Sequence, residues 1–325
     1  MAVAEALNPG DWVEVKSAAE ILATLDGNGT LDALPFMPEM LDLCGRRFQV
    51  LRKAEKTCVE IAPGDYAIRE FLHNDVVLLD GQRCSGASHD GCQRLCMFFW
   101  KATWLRRVDP HSVSSSEDIG SRAALRDRLK TTTTSDRYFC QSTQLHKATS
   151  NRALRRSEIL RKCLRDVRSG AVRPLAMLAL IFVPLYRKTR DRLVGRPWLR
   201  GTLSRTPVGD LALQPGEFVI IKSIEEMRTT LDSTGKNRGL VCDIELQKFS
   251  GTTDRVRGRL ERMISEPTGE MRQVLGTVIL EGNTCMCARV VGGCPRLEYC
   301  YWREVWLSRA DATMPHAAGK GKAFA

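Results

Sequence analysis

The densest group of residues that could do chemistry is a short stretch with three cysteines and one histidine. Cys84, His89, Cys92 and Cys96 follow the spacing C-x4-H-x2-C-x3-C. Thiolates and imidazoles are the ligands that tetrahedral zinc takes in proteins, and thiolates also hold iron–sulfur clusters. The cluster therefore predicts a metal site, with zinc favoured over an iron–sulfur cluster.

The competing interpretation is that these cysteines are small apolar core residues. A later, similar segment keeps Cys285 and Cys294 but has valines where His89 would stand. Packing tolerates such drift and a four-ligand shell does not, so the drift favours the packing interpretation. A metal site is still predicted for the first segment, and not for the second. A catalytic cysteine with His89 or His146 as its base is a further alternative. Neither histidine lies in a distinctive motif, and no catalytic residue is assigned.

The second candidate for chemistry is a local excess of positive charge. Residues 106–205 contain 23 Lys and Arg against 8 Asp and Glu, a net charge of +15, which leaves −4 for the rest of a chain whose total is +11. Such clustering is typical of proteins that bind phosphates. We predict a helix over 150–168 whose apolar face is Leu154, Ile159, Leu160, Leu164 and Val167. The predicted polyanion-binding residues are Arg152, Arg155, Arg156, Arg161, Lys162, Arg165 and Arg168.

A second predicted helix begins at Pro174 and is apolar through residue 186. These thirteen uncharged positions are too few to span a bilayer. Basic residues on both sides would suit an anionic membrane interface, although Pro184 interrupts the segment. A buried helix between two domains is the alternative.

An internal repeat in the sequence predicts the strands and helices that position these residues. GDWVEVKS at residues 10–17 matches GEFVIIKS at 216–223, and the similarity continues in order to Trp100/Trp302 and Trp104/Trp306. Such a period indicates a tandem duplication. Each copy has short strands, one helix with a serine N-cap, and a closing aromatic segment. We predict an α+β protein with two small SH3-like β-barrel units, in which the four tryptophans fill the cores.

Four regions are predicted along the chain. They are an SH3-like first copy (1–107), a basic helical middle (108–210), an SH3-like second copy (211–309) and a flexible tail (310–325). The first residues lack the charged and apolar regions of a secretory signal. The twelve cysteines are therefore expected to be mostly reduced thiols in a cytoplasmic protein, with peripheral attachment to the inner membrane face as the alternative.

The closing pattern C-x4-H-x-G-C-x3-C-x2-F-W-x3-W-L, from Cys84 to Leu105, resembles an uncharacterised family of bacterial tandem-repeat proteins. The opening GDWVEVKS and the later DRYFCQST and RDVRSG are similar to that family too. The resemblance implies a bacterial, cytoplasmic origin and carries no catalytic residue. The opening strands are also loosely similar to KOW and other SH3-like modules, which often bind nucleic acid or protein.

Two functions of different classes follow. The first is a non-catalytic binding or adaptor protein whose basic middle engages a polyanion, with nucleic acid ahead of an anionic membrane. The second is a metal-dependent enzyme or biosynthetic accessory protein that uses the Cys84 to Cys96 cluster. The sequence has no P-loop, dinucleotide fingerprint, H-E-x-x-H or G-x-S-x-G, which disfavours the standard NTPases, dehydrogenases, zincins and α/β-hydrolases.

Overall fold

The structure is a computed structural model that describes residues 6–62, 65–109, 119–152, 154–170, 172–194, 199–242, 244–285 and 293–310. The chain divides into two compact units. The first unit comprises Met1–Pro174, Ile264–Arg272 and Cys294–Arg296, and the second comprises Leu175–Met263, Gln273–Gly293 and Leu297–Ala325. The first unit therefore includes two short segments from the second repeat.

The sequence predicts boundaries after residues 107 and 210, and both stay predictions. The first break between the two units, after Pro174, lies between these two positions. The predicted tail beyond residue 310 lies outside the described residues.

The first repeat is built from short strands with one helix. Its elements are β1 (Trp12–Val15), α1 (Ala18–Leu22), β2 (Thr30–Leu31), β3 (Leu34–Pro35), a 3-10 helix (Pro38–Leu43), β4 (Arg47–Lys53), β5 (Thr57–Ala62), β6 (Asp65–Arg69), β7 (Val76–Arg83), β8 (Met97–Lys101), a 3-10 turn (Ala102–Trp104) and β9 (Leu105–Arg107).

Helices dominate the segment that follows. Its elements are α2 (Ile119–Arg128), β10 (Thr132–Thr134), β11 (Arg137–Tyr138), α3 (Gln141–Ala148), α4 (Arg156–Arg168) and α5 (Pro174–Val194). In the described part of the chain, no helix is both long enough and apolar enough to cross a membrane.

The second repeat returns to the pattern of the first. Its elements are β12 (Phe218–Ile221), α6 (Ile224–Arg228), β13 (Lys236–Asn237), β14 (Leu240–Val241), α7 (Ile244–Gln247), β15 (Thr253–Arg259), β16 (Arg262–Ile264), β17 (Met271–Gln273), β18 (Thr277–Thr284), β19 (Tyr299–Arg303), a 3-10 turn (Glu304–Trp306) and β20 (Leu307–Arg309).

Each repeat forms one five-stranded antiparallel sheet, and the strand order is the same in both. The order is β8-β7-β4-β1-β9 in the first unit and β19-β18-β15-β12-β20 in the second. The registers agree as well, since Val15 pairs with Leu105 and Ile221 pairs with Leu307. The prediction of a mixed α+β protein with two β units is therefore confirmed at this level.

Tryptophans fill the centre of each sheet, as predicted. Trp100, Trp104, Trp302 and Trp306 are fully buried. The N–H of a buried indole usually has a hydrogen-bond partner, and one tryptophan of each copy has one. Trp104 Nε1 donates to Thr24 Oγ1 at 3.1 Å, and Trp306 Nε1 donates in the same way to the equivalent Thr230 at 2.9 Å. The serine caps of the two short helices are also confirmed, at Ser17 and Ser223.

Candidate functional site

Helix α4 carries most of the predicted polyanion-binding residues and belongs to the first unit. It begins at Arg156, later than the predicted start at residue 150, and Arg155 is its N-cap. The Arg155 backbone N–H donates to Glu158 Oε2 at 2.7 Å, so the Glu158 carboxylate satisfies a donor at the positive end of the helix. The helix ends where Gly170 takes a positive φ of 74°.

The buried face of α4 differs from the predicted one. Lys162 and Cys163 are buried, with Ile159 and Val167 partly covered. Leu160 and Leu164, which were predicted to face the core, are each 50% exposed. A helical period places them on the side opposite Lys162, so burial of Lys162 turns both leucines toward solvent.

Lys162 was predicted to bind a polyanion, but it is only 4% exposed. Its ammonium group donates to the Glu55 carbonyl at 3.1 Å and lies 3.3 Å from Glu70 Oε2. A buried lysine that is paired in this way fixes the helix to its own unit. It is therefore not part of an exposed binding surface.

The remaining predicted arginines are exposed, and they fall into two groups. Arg152 forms a two-pronged pair with Glu158, and Arg165 lies 3.3 Å from Glu55 Oε1. In the described part of the chain, the second group has no carboxylate within salt-bridge distance. We call it the α4 arginine group: Arg155, Arg156, Arg161 and Arg168.

Helix α5 exposes an apolar face of its own. It runs without a break from Pro174 to Val194 and includes Pro184, so the proline does not end the helix. Ala176, Met177 and Leu180 are buried on one side, whereas side chains on the other side are between 40% and 82% exposed. We call this the α5 apolar face: Leu175, Leu178, Phe182, Leu185, Tyr186 and Leu193.

The Cys/His cluster lies in the connection between β7 and β8. His89 is buried, with Nε2 3.0 Å from the Phe139 carbonyl oxygen and Nδ1 3.7 Å from Glu39 Oε1. Cys84 Sγ also lies 3.7 Å from Glu39 Oε1 and accepts the Gly86 N–H at 3.3 Å. Glu39, which the sequence patterns did not single out, therefore stands between the histidine and the first cysteine.

The other two cluster residues make contacts with the backbone, and the Cys96 thiol is also close enough to raise the pKa of Cys84. Cys92 Sγ accepts the Ile264 N–H at 3.4 Å, and the Cys96 carbonyl accepts the Cys84 N–H at 2.8 Å. Among the residues that the structure describes, no three His, Cys, Asp or Glu side chains are grouped to hold a metal ion. The metal site remains a prediction from the sequence.

Electrostatics at this cluster favour neutral thiols. Burial, reinforced by the nearby carboxylate of Glu39, raises the pKa of the Cys84 thiol. Burial also raises the pKa of Glu39, but hydrogen bonding and the charge of His89 outweigh it and hold that pKa below its usual value. The thiolate is the nucleophile in cysteine chemistry, so this arrangement does not prepare Cys84 for catalysis.

A surface cavity of about 410 Å³ opens beside the cluster. Its lining includes Glu39 and Asp42 as well as Arg83 and Arg126, so it carries charges of both signs. The cavity could receive a small polar molecule, but the raised pKa of the Cys84 thiol does not make that side chain an activated nucleophile.

The structure also reveals a buried ionic network in the first unit that the sequence patterns did not indicate. Glu266 Oε2 accepts from Arg296 Nη2 at 2.8 Å and from Ser142 Oγ at 2.9 Å, and Arg94 Nη2 lies 3.6 Å away. The Glu60 N–H donates to the other carboxylate oxygen at 2.9 Å. Arg94 and Arg296 occupy equivalent positions of the repeat, and this equivalence was the only signal in the sequence that pointed to the network.

Comparisons with protein families, with characterised proteins and with solved structures give no match for this chain. The function must therefore be argued from the residues themselves.

Proposed function

We propose that this protein is a non-catalytic binding protein that attaches peripherally to an anionic membrane surface. The observation that carries the proposal is the α5 apolar face, which leaves large side chains such as Phe182 and Tyr186 exposed to water. Large exposed apolar patches are uncommon on soluble proteins and mark interaction surfaces.

The spacing of the α5 apolar face suits a bilayer interface. Residues 175, 178, 182, 185 and 186 recur at the helical period, so they share one side of the helix. The sequence then turns basic at Arg187, Lys188, Arg190 and Arg192. A basic residue near an anionic leaflet contributes about 1 kcal/mol, and the apolar side chains add the burial of their own surface.

Helix α4 supports the same proposal independently. Its exposed side combines Leu160 and Leu164 with the α4 arginine group. A lipid interface would bury these leucines and neutralise these arginines together. Nucleic acid, which the basic charge alone favoured, would engage the arginines through phosphates but leave the leucines without a role. Lipid is therefore preferred, and nucleic acid is an outcome of the test.

We also propose that each five-stranded sheet is an SH3-like barrel and that the protein acts as an adaptor. In that fold the first strand lies between the second and the fifth, and a 3-10 turn precedes the fifth. The order β8-β7-β4-β1-β9 and the turn at Ala102–Trp104 support this assignment. Folds of this class serve many functions, so the assignment adds no activity by itself. We likewise propose that the segment between the repeats acts as a basic helical middle, and that the chain is related to the bacterial tandem-repeat family.

Binding of the purified full chain to vesicles tests the proposal. We expect sedimentation with vesicles of mixed phosphatidylglycerol and phosphatidylcholine, and none with phosphatidylcholine alone. Added salt should weaken this binding, because screening reduces the attraction of exposed charges. Leu178→Ser with Phe182→Ser should reduce binding at least about tenfold, since both apolar anchors are lost.

Matched variants separate lipid binding from general charge. The triple variant Arg156→Glu, Arg161→Glu and Arg168→Glu should weaken binding and flatten its salt dependence. The same charge change at exposed arginines outside α4, Arg228, Arg255 and Arg272, should reduce it much less. Leu275→Ser, at an exposed leucine outside α5, serves as the apolar control.

In another outcome, the parent protein binds a short DNA duplex or heparin but no vesicles, and the α4 triple variant loses that binding. This outcome would favour nucleic acid over lipid as the partner. Unchanged retention of that variant on heparin and on vesicles would contradict polyanion binding by the α4 arginine group.

The metal-dependent alternative has one observation in its favour. Cys84 Sγ and His89 Nδ1 both lie 3.7 Å from the same Glu39 oxygen, so a zinc ion would need only a small local rearrangement to meet three donors. Elemental analysis of protein purified without a metal-affinity tag tests this. About one zinc per chain, lost in folded Cys84→Ser, would support the alternative; absence of metal would exclude it.

A further inference from the structure

Two buried thiols of the first unit lie almost in bonding contact. Cys58 is on β5, and Cys294 is in the short segment 294–296 that belongs to the same unit. Their sulfur atoms are 3.2 Å apart, and the Cys58 backbone N–H also donates to Cys294 Sγ at 3.2 Å. A disulfide requires a sulfur separation near 2.05 Å, so a shift of roughly 1 Å would join them.

The buried ionic network holds this pair in place. Arg296 Nη1 donates to the Cys58 carbonyl at 2.9 Å, and its Nη2 donates to Glu266 at 2.8 Å. Since Arg296 is two residues from Cys294, the same side chain fixes both the strand and the segment that faces it. The two thiols are thus positioned by contacts that do not depend on the sulfur atoms.

The same junction is present a second time, with the two repeats exchanged. Ile264, the equivalent of Cys58, donates its N–H to Cys92 Sγ at 3.4 Å, and its carbonyl accepts from Arg94 Nη1 at 3.1 Å. Here an isoleucine takes the place of the second thiol. The junction therefore forms with only one cysteine, so its packing does not require a thiol at the position of Cys58.

We propose that Cys58 and Cys294 form a reversible intramolecular disulfide when the protein meets a peroxide. One thiolate attacks hydrogen peroxide, which breaks the O–O bond, forms a sulfenic acid and releases hydroxide. The second thiol then attacks the sulfenic sulfur, forms the S–S bond and expels water. In total two thiols and one peroxide give one disulfide and two waters, and both electrons go to the peroxide. A small-molecule thiol reverses the reaction by exchange.

Burial makes this pair slow to react at neutral pH. Burial and the adjacent Cys58 thiol raise the pKa of Cys294, and the charge of Arg296 opposes that rise only in part. The reduced pair is thereby protected from rapid oxidation. Cys58 keeps 8% and Cys294 keeps 4% of its surface exposed, which leaves access for a small uncharged oxidant. Once formed, the bond would close a loop between positions 236 residues apart and so restrict the unfolded chain strongly.

The test begins with the full-length, fully reduced protein. It is exposed to hydrogen peroxide, its remaining thiols are alkylated, and the chain is digested for mass analysis. We expect one linked peptide pair containing Cys58 and Cys294, which dithiothreitol separates, and a higher melting temperature for the oxidised protein. Oxidation of both residues to separate sulfinic acids, or a link to another cysteine in their place, would overturn the proposal.

The duplicated junction provides matched variants. Cys58→Ile reproduces the residue already accepted at position 264 and should melt like the reduced parent with no response to peroxide. Ile264→Cys should gain a second link, to Cys92, because it restores the thiol pair at the other junction. A melting temperature that rises equally in peroxide-treated Cys58→Ile, or an Ile264→Cys protein that forms no Cys92 link, would contradict the proposal.

Discussion

Glu266 supplies a carboxylate that two buried arginines of the first unit share. Arg94 and Arg296 are each buried, and both approach the same carboxylate oxygen. A buried charge is costly unless it is paired and hydrogen-bonded. The contacts from Ser142 and from the Glu60 backbone N–H complete the carboxylate's hydrogen bonds, so the network is satisfied at Glu266.

Removal of this carboxylate should therefore be severe. Glu266→Ala leaves two guanidinium groups buried without their shared partner and should lower the free energy of unfolding by about 3–5 kcal/mol. Urea denaturation followed by tryptophan fluorescence measures the change. Glu270→Ala, in the same short segment, should change it by less than about 0.5 kcal/mol. Equal, small losses in both variants would show that the network does not stabilise the unit.

At the scale of elements, the connection between β7 and β8 depends on a glycine. Gly86 has a φ of 73°, and a Cβ added there would lie 1.9 Å from the Cys92 carbonyl oxygen. Gly81 has a similar φ of 69° but no atom within 4 Å of an added Cβ. The two glycines share a left-handed backbone conformation and differ in the space around them.

This difference predicts unequal costs of substitution. Gly81→Ala should cost about 1–2 kcal/mol, because a left-handed conformation disfavours any Cβ. Gly86→Ala should cost more than about 4 kcal/mol, since the loop must also move away from the new atom. Chemical denaturation of the two variants checks this. A smaller loss in Gly86→Ala than in Gly81→Ala would show that the loop adapts freely.

Helix α4 illustrates why a pattern of apolar residues does not fix which side of a helix is buried. Leu160 and Leu164 have the right spacing for an inward face, but the inward position is taken by Lys162 and Cys163. Glu55 and Glu70 on neighbouring parts of the unit compensate the lysine charge. Periodicity within one helix carries no information about carboxylates that lie about a hundred residues earlier in the chain.

At the scale of the whole molecule, the first unit is not formed by the first repeat alone. It includes residues 264–272 and 294–296, which supply Glu266, Cys294 and Arg296. A chain that ends at residue 210 would lack all three. Its Arg94 would have no Glu266 to pair with, and β5 would lose the contacts that Arg296 makes with Cys58.

We therefore expect the fragment 1–210 to be markedly less stable than the same residues in the full chain. Thermal unfolding followed by circular dichroism should give a broad transition at lower temperature. Addition of fragment 211–310 should restore part of the lost cooperativity. A sharp transition of the fragment at the temperature of the full chain would instead show that the first repeat folds independently.

The sequence by itself determined the duplication, the α+β class, the serine caps and the buried tryptophans, because each depends on local spacing that both copies keep. Only the tertiary structure decided that Lys162 is buried, that α5 exposes its apolar face, and that Cys92 and Cys294 contact Ile264 and Cys58. These outcomes depend on which distant segments meet. Short-range patterns favour several such arrangements, and long-range packing and the pairing of buried charges select among them.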